Sequence, residues 1–259
     1  MIFTGTSGFS YDDWKGHFYP ASMGKAKFLA YYSNTFTACE INSTYYAPAS
    51  RRMTEGLLRK SEGRVTFCMK ANRRMTHQLD ADAAFYSGFR DALDPMVREK
   101  KLGAVLAQFP QSCRPDRRGK DAVERIHGEL GELPLVFEFR QEKWADDRVF
   151  KWMSGRNIGL CCVDEPRIRG LFPPVVRVTS KDIAYLRFHG RNAEKWHNHK
   201  EAYERYDYLY SEEEIKQWVP KIKKLQQEAG SVFVFYNNHY KAKAVQNALQ
   251  LKVLLEGGE

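Results

Sequence analysis

Residues 184–189 read Ala-Tyr-Leu-Arg-Phe-His, a short run of apolar and aromatic residues into which a base and a histidine are placed at alternate positions. Alternate residues of an extended strand share a face, so Arg187 and His189 point to one side while Leu186 and Phe188 point to the other. The run therefore predicts a β-strand that packs its apolar face against helices and carries polar groups on its opposite face.

Seven further runs of similar character occur along the chain: Ile2 to Ser7, Ala38 to Asn42, Val65 to Lys70, Ala104 to Phe109, Leu135 to Arg140, Ile158 to Asp164 and Val232 to Asn237. Stretches with helical periodicity separate most of them, near residues 25–34, 51–60, 82–100, 116–130, 146–154, 211–229 and 241–255. Strands that alternate with helices predict parallel strands joined by crossover helices. Eight such units in 259 residues predict an α/β fold, a TIM-type (β/α)8 barrel, as a single domain over residues 1–259. An open doubly wound sheet is the alternative, because element counting does not establish that the last strand pairs with the first.

Two local features refine this prediction. The segment after strand six, Glu165 to Lys181, contains several Pro, Gly and Arg residues, which predicts an irregular crossover in place of a helix. Ser211 and Glu214 have the spacing of a capping box, which predicts a helix that begins after Ser211.

Composition limits the functional classes. Lys and Arg number 41 against 32 Asp and Glu, so the formal net charge is +9, which favours anionic partners. The five cysteines form no C-x-x-C pair and lie mostly in apolar runs, which predicts reduced thiols. The first residues do not have the pattern of a signal peptide and no run of about 18 apolar residues occurs, so we expect a cytoplasmic protein without a membrane partner.

Polar residues recur near the C-terminal ends of five predicted strands, in same-face pairs: Glu40 with Asn42, Cys68 with Lys70, Glu138 with Arg140, Cys162 with Asp164, and Arg187 with His189. In (β/α)8 barrels that end carries the active site. Buried charges are costly unless they are paired or coordinated. The acids Glu40, Glu138 and Asp164 therefore require partners, which are either a bound cation or the bases Lys70, Arg140 and Arg187. The pattern predicts that these residues converge on a charged pocket.

A set of uncommon strings is spread over the whole chain: Gly5-Thr6-Ser7-Gly8-Phe9-Ser10-Tyr11, Glu40-Ile41-Asn42-Ser43-Thr44-Tyr45-Tyr46, Gln108-Phe109-Pro110, Glu138-Phe139-Arg140, Tyr185-Leu186-Arg187-Phe188-His189-Gly190 and Tyr236-Asn237-Asn238. In these strings the chain resembles the YecE-like family, known as domain of unknown function 72. The resemblance implies a barrel fold and no particular activity. His239 departs from the family pattern, in which many members have an acidic residue at that position.

The first functional hypothesis is an enzyme, of the hydrolase or lyase class, that binds an anionic or phosphorylated small molecule. Lys70, Arg140 and Arg187 would hold the anion. General acid and base chemistry would come from the catalytic candidates Glu40, Glu138, Asp164 and His189. Further candidates for orienting the substrate are Asn42, Gln108, Tyr208, Asn237 and Asn238.

The second hypothesis is a hydrolase that depends on a divalent metal. Glu40, Glu138, Asp164 and His189 are of the residue types that bind Mg, Mn or Zn, although no ligand-spacing motif accompanies them. Gly5-Thr6-Ser7-Gly8 follows the first strand but does not have the G-x-G-x-x-G spacing, so neither a nicotinamide nor a flavin cofactor is supported.

The third hypothesis is a nucleic-acid-binding protein or nuclease. In residues 191–210, Trp196 and four tyrosines alternate with Arg and Lys, and aromatic rings and cations together can bind single strands. A loop of this length also suits a lid that packs its rings over a site.

Overall fold

The apolar runs form eight parallel strands in the computed structural model, which describes residues 1–257. The strands are β1 Ile2–Ser7, β2 Ala38–Ile41, β3 Thr66–Lys70, β4 Leu102–Gln108, β5 Leu135–Glu138, β6 Gly159–Asp164, β7 Ile183–Phe188 and β8 Ser231–Tyr236. Each strand pairs with the next one, and β8 pairs with β1 from Ile2↔Val232 to Thr6↔Tyr236. The sheet is therefore a closed barrel, which confirms the predicted fold over the doubly wound alternative.

The helices between the strands are α1 Phe28–Tyr32, α2 Ser43–Tyr46, α3 Arg51–Lys60, α4 Ala83–Arg98, α5 Arg117–Leu130, α6 Asp147–Gly155, α7 Ala193–His197, α8 Glu212–Lys216, α9 Val219–Glu228 and α10 Lys243–Glu256. Short 3-10 turns are formed by Asp12–Trp14, Lys25–Lys27, Glu142–Trp144, Ala202–Tyr206 and Tyr240–Ala242, and a π turn by Arg74–Gln78. Ser50, Asp82, Asp116 and Asp146 each accept a backbone N–H with their side chain at the start of a helix. Such caps satisfy donors that the first helical turn leaves free, and they fix where these helices begin.

The apolar face of each strand packs against the helix layer. On β5 the ring of Phe137 lies 6.3 Å from that of Trp152, and just after this strand the ring of Phe139 lies 4.4 Å from that of Trp144. Burial of one such ring stabilises the fold by about 1.5–3 kcal/mol. The same alternation directs Glu138 and Arg140 to the opposite side, toward the barrel axis.

Three local predictions have different outcomes. The crossover after β6 is irregular as predicted, since residues 165–182 are all described and none of them is helical. The capping box of Ser211 and Glu214 is also present. The single helix predicted over residues 211–229 is wrong, because α8 ends at Lys216 and α9 begins at Val219. Pro220, in the first turn of α9, cannot donate the backbone hydrogen bond that a continuous helix would require there.

Within residues 1–257, none of the helices is both long and apolar enough to cross a membrane.

Candidate functional site

Arg187 forms the centre of a buried charged cluster at the C-terminal ends of the strands. Its Nη2 donates to Glu40 Oε1 at 2.7 Å, and its Nη1 donates to Glu138 Oε2 at 2.6 Å. The side chain of Arg187 is 2% exposed and both carboxylates are 0% exposed. Burial opposes ionisation of Glu138, but Arg140 and Arg187 hold its pKa well below the usual value. One guanidinium on β7 therefore joins β2 and β5 through charge-assisted hydrogen bonds.

Both carboxylate oxygens of Glu40 accept hydrogen bonds within this cluster. Its second oxygen, Oε2, accepts a hydrogen bond of 2.8 Å from the Tyr185 hydroxyl. Tyr185 was not among the predicted site residues, although it lies two residues before Arg187 and therefore on the same face of β7. Burial raises the pKa of Tyr185 well above its usual value, which keeps this hydroxyl a donor.

Arg140 extends the cluster from β5 toward β6 and β7. Its Nε donates to Glu138 Oε1 at 2.6 Å and its Nη1 donates to Glu165 Oε2 at 2.6 Å. Its Nη2 lies 3.0 Å from His189 Nε2. The side chain of Arg140 is 12% exposed, so it is nearer to the outside than Arg187.

His189 is held as a neutral imidazole. Burial lowers its pKa well below the usual value, and the guanidiniums of Arg140 and Arg187 add to this effect. His189 Nε2 lies 3.0 Å from Arg140 Nη2 and 3.4 Å from Glu138 Oε1, and its Nδ1 lies 3.1 Å from Asn237 Nδ2. The ring is therefore held on both sides by polar neighbours, and Arg140 can donate to it only when Nε2 carries no proton.

Glu165 is the acid of this cluster that the sequence analysis missed. Arg140 binds its Oε2, while its buried Oε1 has no hydrogen-bond partner among the described residues. Burial raises the pKa of Glu165 to about 7, although Arg140 opposes the shift. A carboxyl group with one free buried oxygen and a pKa near neutrality is suited to proton transfer.

The strand β6 faces the opposite way to the prediction. Cys161 Sγ lies 3.7 Å from Glu138 Oε2, while Cys162 Sγ lies 3.7 Å from the Arg177 carbonyl oxygen. Cys161 and the position of Glu165 therefore share the face that points into the barrel, and Asp164 points away from it. The run from residue 159 to 164 is apolar on both faces until its last residue, so alternation alone did not fix its orientation.

Asp164 belongs to a separate cluster behind the barrel wall. Arg191 donates to both of its oxygens, at 2.8 and 2.6 Å. Tyr210 Oη and Trp218 Nε1 each donate to it at 2.9 Å. Its acceptor positions are thus used to attach the segment after β7 and the start of α9 to the barrel. This arrangement is structural and does not bring Asp164 to Glu40 and Arg187.

Replacement of Asp164 by asparagine is expected to lower the free energy of unfolding by about 2–4 kcal/mol, because an uncharged amide with one acceptor oxygen cannot accept from all four donors or pair with the Arg191 guanidinium. Urea unfolding will measure the change. Asp147→Asn is the control, because the ion pair of Asp147 with Arg177 is exposed, and no measurable change is expected there. Equal stability of Asp164→Asn and wild type would contradict this assignment.

Lys70 lies at the open side of the cluster. It is half-buried, its Nζ donates to Gln108 Oε1 at 3.0 Å, and it lies 4.6 Å from the centre of the Tyr45 ring. Burial lowers the pKa of Lys70 to about 8, and the nearby charge of Arg187 acts in the same direction. The Gln108 amide also donates to the Phe109 carbonyl at 3.0 Å, which fixes its oxygen toward Lys70.

The remaining binding candidates are less closely associated with the cluster. Asn42 follows β2, and its buried Oδ1 has no partner within the described part of the chain. Asn238 donates to the Tyr208 carbonyl oxygen at 2.8 Å and to Asn247 Oδ1 at 2.9 Å, so it attaches α10 to the segment after β7. The Tyr208 hydroxyl donates to Glu214 at 2.7 Å. Neither Tyr208 nor Asn238 contacts the charged cluster through the hydrogen bonds it makes.

The segment 191–210 packs its rings toward the cluster. Trp196 is 2% exposed, with Arg140 5.8 Å and Arg205 5.4 Å from its ring. The Tyr206 ring lies 6.3 Å from that of His189. Tyr203 is more exposed but stacks on Tyr240 at 4.4 Å. The segment therefore covers His189 and Arg140, as a lid would.

The carboxylates of Glu40 and Glu138, which were predicted as metal ligands, already accept hydrogen bonds from neighbouring side chains. Both oxygens of Glu40 and of Glu138 accept hydrogen bonds from Arg187, Arg140 or Tyr185. In residues 1–257 there is no group of three or more His, Cys, Asp or Glu residues placed to hold a metal ion. The geometry of these residues gives no support to metal-assisted chemistry here.

Comparison with known proteins identifies relatives over nearly the whole chain. The chain is 29% identical over 275 residues to the UPF0759 protein YunF of Bacillus subtilis, a match that covers 99% of this chain and 95% of that protein. The crystal structure of a DUF72 family protein from Thermotoga maritima is 38% identical, with a TM-score of 0.89 and coverage of 99% of both chains. A DUF72 family protein from Enterococcus faecalis is 26% identical, with a TM-score of 0.88 and coverage of 99% of this chain and 96% of that one.

The family model described as protein of unknown function DUF72 matches residues 3–259. This match confirms the resemblance found in the sequence, and the related crystal structures agree with the barrel fold. The chain therefore belongs to the DUF72 family.

Proposed function

We propose that the protein is an enzyme that binds a small anionic substrate next to Arg140 and Lys70 and transfers a proton to or from it with Glu165. The observation that carries this proposal is the Glu165 carboxyl group, which has one oxygen held by Arg140 and the other buried without a partner in the described chain. Buried polar atoms are nearly always satisfied, and exceptions commonly mark a functional site. A substrate atom would supply the missing partner.

The charge of the cluster favours an anion. Its acids are Glu40, Glu138 and Glu165, and its bases are Lys70, Arg140 and Arg187. When Glu165 is protonated, the bases exceed the acids by one charge. Arg187 is paired with two carboxylates through Nη1 and Nη2, while its buried Nε has no hydrogen-bond partner among the described residues. The charge without a paired carboxylate is therefore that of Lys70. A carboxylate or phosphate group would compensate this charge with charge-assisted hydrogen bonds.

These contacts lead us to propose a different proton carrier from the catalytic candidates that the sequence suggested. Glu138 is a poor base because its pKa is held well below the usual value, and neutral His189 is a poor acid. In this proposal Glu40 and Glu138 position Arg187, and His189 positions Arg140. Proton transfer falls to Glu165, whose pKa is near neutrality. The reaction classes that fit remain those of a hydrolase or a lyase.

Inorganic phosphate is the probe for anion binding. We expect saturable binding to the wild-type protein by calorimetry and about tenfold weaker binding to Lys70→Met, because one charge-assisted contact is lost. Lys151→Met, on the exposed side of α6, is the matched control and is expected to bind as the wild type does. Absence of saturable binding to the wild type would contradict the proposal.

Proton transfer can be detected before the substrate is known. Phosphorylated and carboxylated metabolites are incubated with the protein in deuterium oxide, and exchange of carbon-bound protons is followed by NMR. Exchange that depends on the protein is expected to fall by about 100-fold or more in Glu165→Gln. Equal exchange by Glu165→Gln and wild type would remove Glu165 from the mechanism.

The positions of the aromatic residues in segment 191–210 do not favour nucleic-acid binding. Stacking with bases requires aromatic rings with free faces in residues 191–210, but Trp196 and Tyr210 are each 2% exposed, and the exposed ring of Tyr203 stacks on Tyr240. Rings in these positions are not available for stacking with bases. Their packing supports the role of the segment as a lid over the proposed site.

A further inference from the structure

We infer that Lys70 is a nucleophilic amine that forms an imine with the carbonyl group of the anionic substrate. This inference rests on the proposed function and specifies the substrate class: a small molecule that carries both an anionic group and an aldehyde or ketone.

The first observation is the position of Lys70 without a counterion. It is the last residue of β3, at the end of the barrel where the charged cluster lies. No carboxylate within residues 1–257 forms a salt bridge with its Nζ, whose partners are the Gln108 amide oxygen and the Tyr45 ring. The nearby acids Glu40 and Glu138 are already bound to Arg187. Glu138 and Glu40 favour the charged ammonium from a distance, but burial and the charge of Arg187 outweigh them and lower the pKa of Lys70.

The second observation is the positive charge around it. Arg187 and Arg140 are close enough to lower the pKa of Lys70 further, and with burial they bring it to about 8. At about pH 7.4, about a fifth of such amines are neutral, against about one in a thousand for an exposed lysine. The neutral amine is the nucleophile, so Lys70 has the reactive form available at ordinary pH.

The third observation is the proton donor across Arg140. Arg140 binds Glu165 directly, and its charge also acts on Lys70, so the two groups share this guanidinium as a neighbour. In the proposed step the neutral Lys70 amine attacks the carbonyl carbon and a C–N bond forms as the C=O π bond breaks. A proton passes from the nitrogen to the oxygen, which becomes a hydroxyl. A proton from Glu165 or solvent converts that hydroxyl into water, which leaves as the C–O bond breaks and the protonated imine forms. No oxidant or reductant is consumed. The protonated imine then withdraws electrons from the adjacent carbon, where ionised Glu165 removes a proton.

The test is reductive trapping with two probes. The wild-type protein is incubated with pyruvate, which is anionic, or with glycolaldehyde, which is uncharged, in the presence of cyanoborohydride. Modified lysines are mapped and quantified by mass spectrometry. We expect pyruvate to modify Lys70 at least about tenfold faster than exposed lysines such as Lys151, with a rate that rises as the pH passes about 8 because the amine loses its proton. Lys70→Arg keeps the positive charge but cannot form an imine, so its trapping at this position is expected to disappear.

The two probes separate the inference from the function on which it rests. Rapid modification of Lys70 by glycolaldehyde but not by pyruvate would support the nucleophile and contradict the anion site. Saturable binding of phosphate, together with modification of Lys70 by both probes no faster than that of Lys151, would overturn the inference and leave the anion site in place.

Discussion

Replacement of Arg187 by methionine is expected to lower the free energy of unfolding by about 3–5 kcal/mol. The reason is the position of Glu40 and Glu138, whose side chains are 0% exposed and would remain buried without their shared partner. Because methionine fills a similar volume, the loss of stability would come from the two uncompensated carboxylates and not from a cavity. Chemical denaturation near neutral pH will measure the change.

Two variants make this result specific. Arg148→Met removes a fully exposed guanidinium that is paired with Asp146, and no measurable loss is expected. The triple variant Glu40→Gln, Glu138→Gln, Arg187→Met removes the acids together with the base, so much of the lost stability should return. A loss below about 1 kcal/mol for Arg187→Met alone would show that the carboxylates are not held as described.

Replacement of Glu165 by glutamine is expected to stabilise the protein at about pH 8 by about 3 kcal/mol and to have little effect at about pH 5. The folded-state pKa of Glu165 is about 7, above its ordinary value of 4.5, so the folded state binds more protons between these two values. The free energy of unfolding of the wild type therefore falls as the pH rises through this interval. The glutamine side chain carries no charge and avoids this loss.

Denaturation of both proteins across this pH range will test the prediction. Glu194→Gln, on the exposed side of α7, is the control, and its stability should follow that of the wild type. A constant difference between Glu165→Gln and wild type at all pH values would contradict the raised pKa. A gain in stability together with a loss of proton exchange would mark Glu165 as a residue kept for function at the expense of stability.

The eight strands and their alternation with helices were predictable because each strand is a short apolar run, and the resemblance to a barrel family favoured closure of the sheet. All eight predicted strands are present, and the closure of β8 on β1 is the part that counting could not establish. The break between α8 and α9 was missed because the periodicity of the segment continues past Pro220. That proline changes the backbone without changing the amphipathic pattern.

The central ion pairs were predictable because they lie on strands with a clear alternation. Arg187, Glu40, Glu138 and Arg140 come together as the parity of β2, β5 and β7 requires. The same rule failed on β6, whose apolar residues on both faces left its orientation open. Successive residues of a strand point to opposite faces, so assigning the wrong face of β6 to the barrel interior exchanged neighbouring residues. Asp164 was therefore predicted as a site residue and Glu165 was not.

The most direct test is a titration of the Glu165 carboxyl group by carbon-13 NMR, with Glu165→Gln used to assign the signal. We expect a midpoint near 7, because burial of a carboxyl group with one oxygen that has no partner among the described residues outweighs the attraction of Arg140. A midpoint near the ordinary value of 4.5 would contradict it, since the group would then be a permanently ionised partner of Arg140 and not a proton carrier.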